Sequence, residues 1–346
     1  MPTFGLFSVL ECPPGRPPQD VYPELLDLFA YGETLGFTHT WVAEHHFSNY
    51  GTLGGPPVFL AALAARTTTM RLGPAVAVLP FHDPVRVAED YAAVDVISGG
   101  RLEFGVGRGY QPKEFAGFDV DMAEARDRFW EQVEIITTAW QGEPFSHEGR
   151  YYRYPELVVK PKPIQTPVPL YLASVSPETF ELALEHGHGV MGSLLTNSAK
   201  SLAPRLAEFR SRLPEGAPAT LPILTPVYVG EHMEQTLADV EQEVMWYFDT
   251  VGQLLPGKDE PLDASFAYFR KVAERTGSID YARALQAWPV GDVERVAEFF
   301  VNLARTSTSE HFICYFTLGA MEKGKAKASM ERFADGVMPL IQRELG

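Results

Sequence analysis

Basic side chains are scarce in this chain. Its 346 residues carry 29 Lys and Arg against 45 Asp and Glu, a formal net charge of −16 at pH 7. A nucleic-acid-binding surface needs a basic footprint, so no nucleic-acid partner is expected. An acidic balance otherwise bears on solubility rather than function. Cysteine is scarcer still: Cys12 and Cys314 lie near opposite ends, and no CxxC occurs. That excludes a zinc or iron–sulfur site built on thiols, and two lone thiols fit a reducing cytoplasm. The opening MPTFGLFSVL lacks the basic start of a signal peptide and reads as a strand. With no run of 18 apolar residues, no membrane-spanning helix is expected. Low-complexity tracts and solenoid repeats are also missing.

What the chain has is 45% hydrophobic content and a strand-then-helix rhythm. Strand-like segments at 3–11, 38–44, 71–80, 101–107, 169–174, 189–193, 220–230 and 311–318 alternate with helical patterns. The helices are expected at 20–36, 56–68, 83–98, 122–140, 177–186, 198–212, 233–251, 292–305 and 322–343. Pro84 sits in a first helical turn and Gly36 closes a helix, the usual asymmetry of helix ends. About eight such units with strands apolar on both faces favour an α/β fold, a (β/α)8 TIM barrel forming one domain over 1–346. The surplus length sits in two insertions, at about 145–159 and 252–289, the second rich in Gly, Pro and charge.

Chemistry in such barrels gathers where strands end. The end of the second strand carries Glu44-His45-His46 in WVAEHHF. Adjacent strand residues point to opposite sides, so the two histidines do not chelate one ion. HExxH is not present, and no metal is expected. Either one histidine does acid–base work or both are structural. The fourth strand ends in GVGRGY, whose spacing fails the dinucleotide fingerprint. It is either a plain turn with a solvated Arg108 or a close backbone approach with Arg108 facing an anion. The fifth ends in ASVSPET, where Ser174, Ser176 and Thr179 surround a helix start that suits N-capping, a phosphate, or both. Arg126 alone would be a surface residue in an ion pair. Helices 56–68 and 83–98 carry Ala and Val on more than one side, which points to a subunit interface. Phe47, Tyr110, Phe115 and Trp288 suggest an apolar pocket, or simply core.

WVAEHHFSNYGTLGGPPVFLAA, AVAVLPFHDPVRVAEDYAAVDVISGGRLEFGVGRG and SMERFADGVMPLI together resemble the bacterial luciferase-like, flavin-dependent monooxygenase family, and most of all its luciferase α subunits. The resemblance runs from about residue 3 to about 342 and implies the same barrel. It also implies a site for reduced FMN, used with O2. By position it makes His45 the catalytic histidine and Arg108, Arg126, Ser176 and Thr179 the residues that hold the flavin phosphate. It puts Ala75 and Val76, joined by a cis peptide, beneath the flavin ring. Tyr110 and Ser193 match further flavin contacts, Glu114 an acidic residue near the flavin, and His46 with Glu89 a pair that bridges two subunits. Two departures stand out. Gly107 replaces a cysteine beside the flavin, which argues against light emission, and Val175 replaces a glutamate near the phosphate. The activity implied is oxygenation of an organic carbonyl, an aldehyde or ketone, with a separate reductase supplying reduced FMN and segment 252–289 in the place of a mobile lid. The substrate would be small and apolar, and the assembly a homodimer. The alternatives are a deazaflavin-dependent hydride-transfer enzyme and a non-catalytic flavin-binding subunit.

Overall fold

The structure, a computed structural model, describes residues 1–173, 177–213, 220–257, 263, 266–276 and 281–346. In chain order the elements are β1 (Thr3–Ser8), α1 (Pro18–Thr34), β2 (His39–Val42), α2 (Pro56–Ala64), β3 (Arg71–Pro74), β4 (Ala77–Val78), α3 (Pro84–Ser98), β5 (Phe104–Gly107), α4 (Pro112–Gly117) and α5 (Ala125–Trp140). Then come β6 (Phe145–Glu148), β7 (Arg153–Leu157), β8 (Leu170–Ala173), α6 (Pro177–His186), β9 (Gly189–Ser193), α7 (Ala199–Arg212), β10 (Ile223–Pro226), β11 (Tyr228–Val229) and α8 (Met233–Gly252). The chain ends with α9 (Ala267–Thr276), α10 (Tyr281–Ala287), β12 (Val290–Gly291), α11 (Val293–Ser307), β13 (His311–Tyr315), α12 (Lys323–Arg332) and α13 (Met338–Leu345).

The main sheet is parallel, ordered β3-β2-β1-β13-β10-β9-β8-β5-β4. β3 pairs with β2 while β4 pairs with β5, so the two are halves of one barrel strand. The Ala75–Val76 peptide between them is cis. Leu72 bridges to Leu102, just ahead of β5, and this contact closes the ring into an α/β barrel of eight strand positions. Its strands are buried along almost their whole length, as a sheet covered on both faces by helices requires. β1 and β13 register Phe4 against Phe312 and Leu6 against Cys314, so the chain's two ends meet in one wall. Both cysteines are buried free thiols.

Local sequence explains the element ends. Asp83 accepts the backbone N–H groups of Val85 and Arg86 at the start of α3, Pro84 fills its first turn, and Gly99 leaves it at φ +73°. The insertion at 145–159 is an antiparallel hairpin of β6 and β7. Segment 252–289 differs from expectation: its described residues include two helices, α9 and α10, where Gly, Pro and charge had suggested a break. Phe269 and Val272 of α9 line the cavity at the barrel mouth and α10 packs on α8, so tertiary contact overrides weak local propensity. The expected strand 220–230 is split into β10 and β11, and β11 pairs with β12 instead of staying in the barrel wall. The expected final helix is interrupted by a π-turn at Phe333–Val337.

Candidate active site

Just past the end of β2, Glu44 and His46 pair with each other while His45 turns to α4. Glu44 is buried. Its Oε1 accepts His46 Nε2 at 3.0 Å and His82 Nε2 at 2.7 Å, and its Oε2 accepts the Val78 N–H at 3.0 Å. Burial alone would raise this carboxyl's pKa, but the two imidazoles and the amide outweigh it and the pKa falls. His82 shifts upward for the matching reason, the nearby carboxylate overcoming burial. His46 is thus occupied by Glu44. His45 lies against α4 instead: its Nδ1 is 3.1 Å from Glu114 Oε1 and 3.0 Å from Gln111 Nε2. The same Glu114 oxygen accepts the His46 backbone N–H at 2.8 Å, which ties α4 to the end of β2. The Nε2 edge of His45 makes no hydrogen bond with a described residue and borders a cavity. An imidazole held at one nitrogen and open at the other is arranged to exchange a proton at the open one.

β5 delivers Gly107-Arg108-Gly109 to the same cavity. A Cβ at Gly107 would stand 2.5 Å from Val76 Cγ2, so the Val76 side chain already fills the space a residue at 107 would need. Gly109 has φ +78°, where only glycine is unstrained, and a Cβ there would meet Val78. Arg108 is mostly buried, with its guanidinium 4.7 Å over the Phe266 ring. Burial, and then the nearby charge of Arg126, push its pKa down to about 10, against the pull of Glu178 and Asp263. Arg126, on the first turn of α5, makes a two-pronged ion pair with Glu178 on the first turn of α6, one prong at 2.8 Å. Two arginines brought together beside a helix N-terminus are suited to an anion.

His45, Ala75, Val76, Gly107, Arg108, Tyr110, Glu114, Arg126, Thr179 and Ser193 all line this one cavity, at the strands' C-terminal ends. Ser176 lies outside the described residues, as do Ser174 and Val175. His46 and Glu89 stand apart from the cavity; Glu89 pairs with Arg86 at 2.7 Å on α3. Of the four aromatics singled out in sequence, only Tyr110 reaches the cavity. Phe115 and Trp288 are core, and Phe47 is 50% exposed. Sequence reading missed Tyr50, Gln111, Glu178 and Tyr247. Tyr247 lies within a long amphipathic helix, where its spacing reads as core. Gln111, Tyr50 and Glu178 follow ordinary loop or helix-start patterns, and nothing local marks them.

The luciferase-like monooxygenase family profile matches residues 3–310. The alkanal monooxygenase alpha chain of Aliivibrio fischeri is 26% identical over 352 residues, covering 98% of this chain and 99% of its own. The oxygenase component of the flavin-dependent trigonelline monooxygenase of Acinetobacter baylyi is 26% identical over 354 residues, covering 97% and 94%. The crystal structure of a monooxygenase from Streptomyces bottropensis superposes with a TM-score of 0.81 at 26% identity, covering 97% of this chain and 99% of that one. The barrel, the cavity and these matches together place the chain in the luciferase-like, flavin-dependent monooxygenase family. It is an oxidoreductase.

Proposed function

We propose that the protein is the oxygenase of a two-component system, taking reduced FMN from a separate reductase and using O2 to oxygenate an aldehyde or ketone. The observation that carries this reading is the polarity of one cavity: Arg108 and Arg126 crowd one part of its wall and the open edge of His45 faces another. The donor set fits a flavin phosphate, with Arg108, Arg126 and Thr179 to hold it and Glu178 as the carboxylate it displaces. Val76 over Gly107 makes a flat apolar wall suited to a ring system. Reduced FMN would supply the electrons that activate O2. The chain's own residues orient and protect: Glu114 fixes His45 through Nδ1, His45 moves a proton at Nε2, and the apolar residues of α8 and α9 exclude water. Tyr110 and Ser193 stand by as further flavin contacts.

The same reading makes the protein a homodimer through α2 and α3. A groove between these helices is walled by Val58, Ala61, Val94 and Ile97, and the buried Tyr91 hydroxyl at its edge has no hydrogen-bond partner among the described residues. Val58 and Ile97 are 78% and 56% exposed.

Fluorescence titration with FMN tests the site. Arg108→Ala should weaken binding at least tenfold, because a charge-assisted phosphate contact is lost, while His45→Ala should bind FMN but fail to oxygenate. Wild-type protein that binds FMN in neither redox state overturns the proposal. Oxygen-18 gas separates it from deazaflavin hydride transfer: label in the product is expected, and an unlabelled product sinks oxygenation.

A further inference from the structure

Three tyrosines border the cavity near His45, and their hydroxyls are hydrogen-bonded chiefly to one another. Tyr50 follows β2 and its ring lies 4.8 Å from the His45 ring. Tyr247 lies on the inward face of α8 with its ring 6.0 Å from that of Tyr50. Tyr110 lies 6.0 Å from His45 and stacks on Phe269 at 4.9 Å. Tyr50 and Tyr247 are 3% and 4% exposed. Around them the cavity wall is apolar, with Phe248, Val251, Leu255 and Val272.

A phenol in such surroundings normally finds a partner for its proton. Tyr110 oxygen faces the Gln111 amide at 3.4 Å. Tyr315, deeper in the barrel, donates to the buried Glu11 carboxyl. Tyr50 shares hydrogen bonds with Tyr247 and with Tyr110, and outside this cluster neither Tyr50 nor Tyr247 has a hydrogen-bond partner among the described residues. Three phenols carry three protons but share only two contacts, and the Gln111 amide donates to Tyr110 as well, so one proton is left to face the cavity. Burial raises the pKa of both Tyr50 and Tyr247, so both remain donors at any working pH.

We infer that Tyr50 and Tyr247 supply the hydrogen-bond donor that receives the carbonyl oxygen of the organic substrate, making a hydrogen-bond acceptor, set beside an apolar body, the specificity requirement of the cavity. The inference rests on the carbonyl-oxygenating reading above and assigns residues that reading leaves unassigned. The two phenols sit where the chain after β2 meets α8, whereas Arg108 and Arg126 follow β5 and Thr179 follows β8. An acceptor held at the phenols therefore lies beside His45 and away from the arginines. Donation of an O–H group to a carbonyl oxygen draws electron density from the carbonyl carbon, the atom an oxygenation attacks, and no proton need leave either phenol. An alkane or alkene of the same shape would leave the cluster's remaining proton unpaired, and an unpaired buried polar group is strongly selected against.

Equilibrium dialysis of FMN-free protein against α-tetralone and against tetralin, two ligands with one carbon skeleton that differ in the ketone, tests this. Wild-type protein should hold the ketone roughly tenfold more tightly or better. Tyr50→Phe and Tyr247→Phe should each lower that preference several-fold, and the double variant should bring it near one, with tetralin binding unchanged. If one single variant fails to fold, the other carries the comparison. Equal binding of the two ligands, no binding of α-tetralone, or a preference that survives both substitutions overturns the inference. Failure of the FMN reading would appear instead in the FMN titration of the wild-type protein and leaves this comparison intact.

Discussion

At the scale of the residue, steric fit and burial set what each site side chain does. Gly107 is forced by Val76, because a Cβ at 107 would stand 2.5 Å from Val76 Cγ2. Gly107→Ala should therefore cost about 1–3 kcal/mol of stability through overpacking. Adding Val76→Ala should recover most of it, and thermal melts of the three proteins would show this; a single variant as stable as wild type ends the argument. Glycine at 107 thus has a packing reason in this chain. Glu11 is a second case. Its carboxyl is wholly buried, and burial raises its pKa from 4.5 to about 7, against the hydrogen bonds from Tyr315 and the Gly319 N–H. As pH rises from about 4.5 to about 7 the unfolded chain releases a proton the folded one keeps, so this group lowers stability across that window. Below the window both states are protonated and the penalty is gone. The full effect is about 3 kcal/mol. Glu11→Gln should flatten the fall in Tm between pH 5 and pH 7.5, and identical slopes in the two proteins would exclude Glu11 as the cause.

At the scale of the element, the ends of a few secondary structures decide what faces the cavity. α4, six residues long, is anchored to the end of β2 through Glu114, which meets His45 Nδ1 and accepts the His46 N–H. The first turns of α5 and α6 are joined by Arg126 and Glu178, which leaves that arginine partly neutralised. A phosphate entering here competes with Glu178. Glu178→Gln should consequently tighten FMN binding severalfold in a fluorescence titration, since the competing charge is gone while Arg126 remains. Weaker binding would mean that Glu178 holds Arg126 in place for the ligand and does not screen it. The histidines at the other end of the barrel have a different role. His39 and His311 are kept neutral by burial, with His311 Nε2 taking the Trp41 indole N–H at 3.1 Å, and they serve packing at the strand starts.

At the scale of the whole molecule, closure of the barrel brings the ends of β2, β5, β8 and β9 to one mouth, and the helices that cover it come from a segment far along the chain. No helix among the described residues is long and apolar enough to cross a membrane. The apolar groove between α2 and α3 is the surface expected to carry the second subunit. Val58→Asp together with Ile97→Asp should convert a dimer to monomer in analytical ultracentrifugation at micromolar protein, because both exposed apolar side chains would be charged at the centre of the contact. A dimer that persists places the interface elsewhere.

The sequence by itself determined the alternation of strands and helices, the barrel, and the convergence of His45, Arg108 and Thr179, because strand periodicity, helix caps and the position of residues just after strands are local signals. It also anticipated that the two histidines of EHH would not share one ion, although both lie past the end of β2 at Val42. Tertiary structure decided the rest. That His46 belongs to Glu44 and His45 to Glu114 depends on which helix lies on each side of β2. That described residues of segment 252–289 form α9 and α10, with Phe269 and Val272 turned to the cavity, depends on what the barrel mouth offers them to pack against. That Tyr50 and Tyr247, 197 positions apart, stand with their rings 6.0 Å apart beside His45 follows only from barrel closure, since long-range contacts are written in packing and not in spacing.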